Sequence, residues 1–270
     1  MKKLITLLLA ASVLAACASS PTGRRQLMLV SPESAIVQSK QAYLTTVDDL
    51  DKENKLLDDP VLADKVSVIT GRLVTEAIKM YPNSKDWEWS VAIIDGPETV
   101  NAWCMAGGRM AVYTGLFEKL DLTDDEFAQI MGHEISHALA NHTAERMSRA
   151  MATSIGVAAV AIASDRPVAT AAAAGAAATL ALELPNSRTA ESEADRIGTE
   201  LATRAGYDPE AAVTLWQKME KASGSGPPQF MSTHPAPGNR QQALASLAPE
   251  MAALNPSGKK SPVHPVEIMR

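Results

Sequence analysis

The run His133-Glu134-Ile135-Ser136-His137 constrains this chain more than any other feature, because its side chains work together only on a helix. Residues four apart lie on one helical face, one turn from each other. Two imidazoles at that spacing can bind the same zinc ion while Glu134 stands beside it as a general base. The helix has a legible start. Thr123-Asp-Asp-Glu126 has the form of a capping box just ahead of the apolar run that begins at Phe127. Read along the same helix, His142 turns toward the apolar face of Phe127, Met131, Ile135 and Ala138, where packing or hydrogen bonding is expected rather than ligation.

A catalytic zinc takes three protein ligands and keeps one position open, so a third ligand is needed beside His133 and His137. The candidates lie in Ser187-Arg-Thr-Ala-Glu191-Ser-Glu193-Ala-Asp195. At about 100° per residue, Glu191 and Asp195 share a face with Gly198 and Ala202, small residues that let another helix come close. Glu193 falls opposite, with Arg196, Glu200 and Arg204, in a charge-alternating stripe typical of a solvated face. The expected metal set is therefore His133, His137 and Glu191, with one Zn2+ per chain. Asp195, one turn on, is placed to accept a hydrogen bond from a ligating imidazole.

Around that centre the pattern is mostly helical with a small sheet, an α+β chain. Ser34 to Lys79 is helical, broken near Asp58-Asp59-Pro60, where Asp59 can cap a helix starting at Pro60. Trp89–Ile94, Val100–Met105 and Met110–Thr114 read as strands, and Gly107-Gly108 suits a tight hairpin turn. Ala150–Leu184 is apolar and alanine-rich, but Asp165-Arg166-Pro167 divides it into two runs, each too short to cross a membrane. It reads as a helical hairpin packed on the domain, with a place over the cleft or against a bilayer as the sharper alternative. Ser223–Pro228 reads as a loop, no internal repeat is evident, and residues after Asn255 look like a loosely held tail.

The first residues form a separate unit. Lys2 and Lys3 precede the apolar run Leu4–Leu14, and Leu14-Ala15-Ala16-Cys17 follows. A positive start, a short apolar stretch and small residues at the cut make an export signal. The cysteine at its end resembles the bacterial lipoprotein signal, which implies lipidation of Cys17. In those terms Ala18 favours the outer membrane. The resulting organisation is a signal peptide over 1–16, a lipidated polar tether over 17–25, one catalytic domain over 26–255 and a tail over 256–270. The net charge of −6 excludes the basic surface that a nucleic-acid binder needs, and loss of Lys2 and Lys3 makes the chain more acidic still. Only Cys104 then remains as a thiol, so no internal disulfide can form.

His133-Glu-Ile-Ser-His137, Ser187-Arg188 with Glu191-x-Glu193-Ala-Asp195, and Ser232-Thr-His234-Pro235 together resemble the CAAX-prenyl-protease and HtpX-type metalloprotease family, in its bacterial periplasmic lipoprotein branch. Gly23-Arg-Arg-Gln-Leu-Met-Leu-Val30 and Asn101-Ala with Gly107-Gly108 and Gly115-Leu116 extend the likeness over nearly all of the chain after Cys17. The resemblance implies a zincin-like (gluzincin) domain, zinc on His133, His137 and Glu191, and catalytic or ligand-orienting roles for Glu134 and Asp195. It places His234 near the cleft, either as a donor to a developing oxyanion or as an extra zinc ligand; a surface-loop histidine is the plainer alternative. Arg240, six residues on, offers a contact to a substrate backbone and is left unassigned.

The expected activity is zinc-dependent endopeptidase action on unfolded or misassembled envelope proteins, from a periplasmic, lipid-anchored position. If Val100–Met105 is a sheet edge beside the metal, an extended peptide can add to it, with Asn101, Ala102 and Trp103 as substrate-binding residues. Trp103 and Met105 are then cleft candidates against a core role, and Cys104 is an inert thiol facing the other way. The rival from another class is a chaperone-like assembly factor for outer-membrane proteins with weak or latent proteolysis. A purely structural zinc site would want four protein ligands and no adjacent base.

Overall fold

The computed structural model describes residues 17–163, 186–222, 228–235 and 238–270, with side chains over 18–155 of the first span. The expected signal peptide, the break at Asp165-Arg166-Pro167, the second run of the alanine-rich stretch and the loop from Ser223 up to Pro227 lie outside the described residues. Among those described, no helix is long and apolar enough to cross a membrane. The chain divides into two compact units, residues 1–37 with 140–184, and 38–139 with 185–270. Residues 26–255 lie in both units.

In the first unit, β1 (Cys17–Ser19) pairs antiparallel with β2 (Arg25–Leu27). Most of the expected tether is therefore a hairpin. Its polar residues close it locally: Gly23 turns with φ 83°, and the Arg24 N–H donates to Ser20 Oγ at 3.1 Å. Arg24 makes two bonds to buried Glu145, at 2.9 and 2.7 Å, and Gln26 donates to the Ala140 carbonyl at 2.8 Å. Glu145 lies in a helix over His142–Ala163.

The second unit contains a four-stranded sheet in the order β4-β5-β3-β6, with β3 at Ser90–Ile94, β4 at Ala102–Met105, β5 at Arg109–Tyr113 and β6 at Glu267–Met269. The expected hairpin is β4–β5, antiparallel, turning through Gly107 and Gly108 at φ 86° and 81°. Strand β3 runs parallel to both β5 and β6. Alternation sends Val91, Ile93, Ala102, Cys104, Met110 and Val112 into the main core, with Val66, Leu73, Phe127, Met131 and Ile135 from the helices. The opposite face, with Ala92, Ile94 and Ala111, packs on Tyr43 and Val47 of α1 (Pro32–Lys52). Trp103 and Met105 belong to this second cluster, and Trp103 meets Tyr43 edge to face at 5.8 Å.

Helix α2 (Pro60–Met80) starts as expected, with Asp59 accepting from the N–H groups of Val61 and Leu62 at 2.9 and 3.1 Å. The tail is a correction. It is strapped along α2, with His264 N–H on the Gly71 carbonyl at 3.0 Å and Thr75 Oγ1 on the Pro262 carbonyl at 2.8 Å, before β6 enters the sheet. Main-chain pairing and the Thr75 hydroxyl hold it, which the tail's own side-chain character does not announce.

Candidate metal centre

The helix carrying His133, Glu134 and His137 runs from Asp124 to Leu139. Its capping box is formed in both directions: Glu126 N–H donates to Thr123 Oγ1 at 3.2 Å, and Thr123 N–H to Glu126 Oε2 at 2.9 Å. The helix ends at Leu139, and Asn141 turns left-handed at φ 56°. His142 therefore opens the next helix instead of continuing this one, and it is buried.

A helix over Arg188–Arg204, capped by Ser187 on the Ala190 N–H, crosses the histidine helix at two glycines. A Cβ on Gly198 would stand 2.7 Å from the His133 nitrogen, and one on Gly132 would stand 2.7 Å from the Gly198 carbonyl oxygen. This backbone-to-backbone approach brings Glu191 onto the histidines. Glu193, expected in solvent, is buried, because α2 packs along that side and brings Tyr81 near it. His234 follows a short helix, Gln229–Thr233, and is 5% exposed, which removes the surface-loop reading.

One ligand atom from each of His133, His137, Glu191 and His234 lies within 4.8 Å of all the others. His133 Nε2 is 3.1 Å from His137 Nε2, 3.2 Å from His234 Nδ1 and 3.2 Å from Glu191 Oε2. Glu191 Oε1 is 3.4 Å from His137 Nε2 and 3.2 Å from His234 Nδ1. Donors about 2.0–2.1 Å from a zinc at tetrahedral angles stand about 3.3 Å apart, so these separations fit the metal. Glu191 Oε2 is buried and accepts no hydrogen bond, as a ligand atom awaiting a cation would. Glu134 is buried beside the cluster, with Oε1 3.3 Å from His234 Nε2.

Charge favours the same occupant. Burial pushes Glu191 toward neutrality, yet His133, His234 and His137 hold its carboxyl far below the usual range. Burial opposes charge on His133 too, but Asp195 and Glu191 outweigh it and raise its pKa to about 9. Asp195 Oδ1 is 3.0 Å from His133 Nδ1, and Arg240 and His133 keep it ionised against burial. In β4 it is Ala102 and Cys104, not Trp103, that face this side. Burial and the nearby Glu134 raise the Cys104 thiol well above the usual range, so it is inert.

Strand β4 is the sheet edge among the described residues. Tyr113 N–H bonds to the Asn101 carbonyl at 3.1 Å, so pleating turns the main-chain groups of Ala102 and Cys104 outward. Val100 presents its carbonyl on that outer side, where Phe230 N–H takes it at 3.1 Å. Asn101 is buried, with an Oδ1 that accepts no hydrogen bond. Arg240 is the residue that sequence reasoning left aside. It is 4% exposed and touches Asp195, and its guanidinium stacks 3.7 Å over Trp216. No local pattern signals this, since Trp216, Asp195 and Arg240 come from three helices.

Residues 64–248 match the model of peptidase family M48. The mitochondrial metalloendopeptidase OMA1 of Arabidopsis thaliana is 37% identical over 157 residues, 58% of this chain and 31% of that protein. The mitochondrial metalloendopeptidase OMA1 of Bos taurus is 31% identical over 244 residues, 86% and 46% of the two chains. The beta-barrel assembly-enhancing protease of Escherichia coli (strain K12) is 29% identical over 205 residues, 73% and 41%. The match spans less than half the length of each of these relatives.

Proposed function

The chain belongs to peptidase family M48, and on that premise we propose that it is a zinc-dependent endopeptidase of the bacterial cell envelope, of the HtpX-like lipoprotein branch, acting on unfolded or misassembled envelope proteins. The observation that carries the reading is a buried set of four donors at tetrahedral spacing with a carboxylate beside it.

His133, His137 and Glu191 hold the metal, and Asp195 fixes the ring of His133 through Nδ1. Zinc held there would supply Lewis acidity and a water acidified to a pKa of about 7. Glu134 takes the proton of the attacking water and passes it to the departing amine. His234 has two places in this scheme. With Nδ1 among the donors it closes the site, and with Nε2 turned to an oxyanion it supports the transition state. The outward main-chain groups of Ala102 and Cys104 offer an extended peptide two-residue pairing, with Asn101 at the start of that edge. Trp103 supports the strand from its far face and does not line the cleft.

An export signal ending at Cys17 supports a lipid anchor and an envelope location, and the name of the Escherichia coli relative points the same way. That name also favours the second reading, an assembly factor that rarely cuts. Glu134→Gln separates them. The variant is expected to keep one zinc per chain while cleavage of an unfolded protein falls about 10²–10⁴-fold. Undiminished cleavage would reject Glu134 as the base, and rescue of an envelope defect by the inactive variant would favour the assembly role.

A further inference from the structure

We propose that Arg240 is a positioning residue that locks Asp195 and the His234-bearing segment onto the metal ligands; this rests on the zinc reading above. Arg240 opens the helix Arg240–Ala252 and is 4% exposed, although arginine is almost never so buried without partners. Its Nη2 bonds to Asp195 Oδ1, the same oxygen that faces His133 Nδ1 at 3.0 Å. The two nitrogens stand 3.3 Å apart, both directed at that oxygen. With Nε2 of His133 turned to the metal, Nδ1 carries the proton, so one carboxylate oxygen collects two donors and its position is fixed from two sides.

The other arm of the fork points elsewhere. Nη1 donates to the His234 carbonyl at 3.4 Å and approaches Glu191 Oε2 at 3.6 Å. The flat face lies 3.7 Å over Trp216, which fixes the plane of the fork. One guanidinium therefore spans the orienting carboxylate, a ligand carboxylate and the main chain of the fourth donor. Formally, Glu134, Glu191 and Asp195 face a divalent cation and Arg240, and loss of Arg240 leaves buried negative charge unbalanced. Lysine would restore the charge but not the planar, two-armed geometry.

The test compares wild type, Arg240→Ala, Arg240→Lys, Asp195→Ala and the Arg240→Ala/Asp195→Ala pair. Each is measured for zinc affinity by chelator competition and, loaded with Co2+, for the visible spectrum that reports ligand geometry. Arg240→Ala is expected to weaken zinc about 10–100-fold and to change the Co2+ spectrum. Arg240→Lys recovers part of the affinity, and the double variant loses less than the sum of the two single losses, because one arm of Arg240 acts through the Asp195 oxygen while the other still holds the His234 carbonyl. Wild-type affinity and spectrum in Arg240→Ala, full recovery by lysine, or additive losses in the double variant each overturn the proposal. Should Arg240→Ala fail to fold, the lysine variant carries the comparison, and unaltered metal binding there sinks it. A wild-type protein that binds no zinc instead removes the metal reading itself.

Discussion

The four donors of the metal centre are held in two different ways. His133, His137 and Glu191 stand on long helices whose backbones meet at Gly132 and Gly198, with no side chain between them. His234 hangs from a five-residue helix, held by its N–H on the Phe230 carbonyl at 3.0 Å, by Phe230 N–H on Val100, and by Arg240. The first three positions follow from a backbone crossing of two long helices, and the fourth from one buried side chain, Phe230, stacked 4.5 Å from the His234 ring, together with a few hydrogen bonds. On the proposed reading, three ligands held by that crossing and a fourth donor on a short helix suit a site that must both hold a metal and admit a substrate.

Removing the metal sharpens this contrast and has the largest expected effect on stability. At zinc about 1,000-fold above its dissociation constant, binding contributes about 4 kcal/mol, so a chelator should lower the thermal midpoint by on the order of 10 °C. Hydrogen exchange should rise first over Gln229–His234, while the amides around His133 keep their protection. Equal loss of protection in both regions would erase the distinction.

The crossing itself can be attacked from within. Gly198→Ala places a methyl 2.7 Å from the His133 nitrogen and 2.8 Å from the Gly132 carbonyl carbon, both backbone atoms that cannot turn away. The helices must separate, at a cost of about 1–3 kcal/mol, and Glu191 withdraws from the histidines. Urea unfolding and zinc titration should fall together. A destabilised variant with undiminished zinc affinity would show that the crossing does not place the ligand.

How far the sequence revealed each region follows from the same contrast. Helical period was enough to choose Glu191 and to place Gly198 and Ala202 at a close approach, because ligand and contact lie on one helix. The same period put Glu193 on the opposite side, correctly, but not its burial: phase does not reveal that α2 covers that side. Alternation separated Trp103 from Cys104 but not which of them looks toward Glu134. Strand β6 and Arg240 were illegible for a stronger reason. Glu267–Met269 becomes a strand only by pairing with Ser90–Ala92, and Arg240 gains its partners only once three helices have packed.

The smallest effect tests whether the start of the histidine helix matters to the metal at all. Thr123→Ala removes the hydroxyl that accepts from Glu126 N–H at 3.2 Å. Glu126 itself stays anchored, since its Oε2 also takes Lys218 at 2.7 Å and its Oε1 takes Thr214 at 2.8 Å. Loss of such a cap costs about 1 kcal/mol, or roughly 2–4 °C in the midpoint for a chain of this size. His133 lies more than two turns further along, beside the glycine contact that fixes the helix against its partner. Zinc affinity should therefore be unchanged within about twofold, because a frayed first turn does not move a helix pinned at Gly132. A loss of zinc affinity comparable to that of Gly198→Ala would mean that the cap, and not the crossing, sets where the histidines stand.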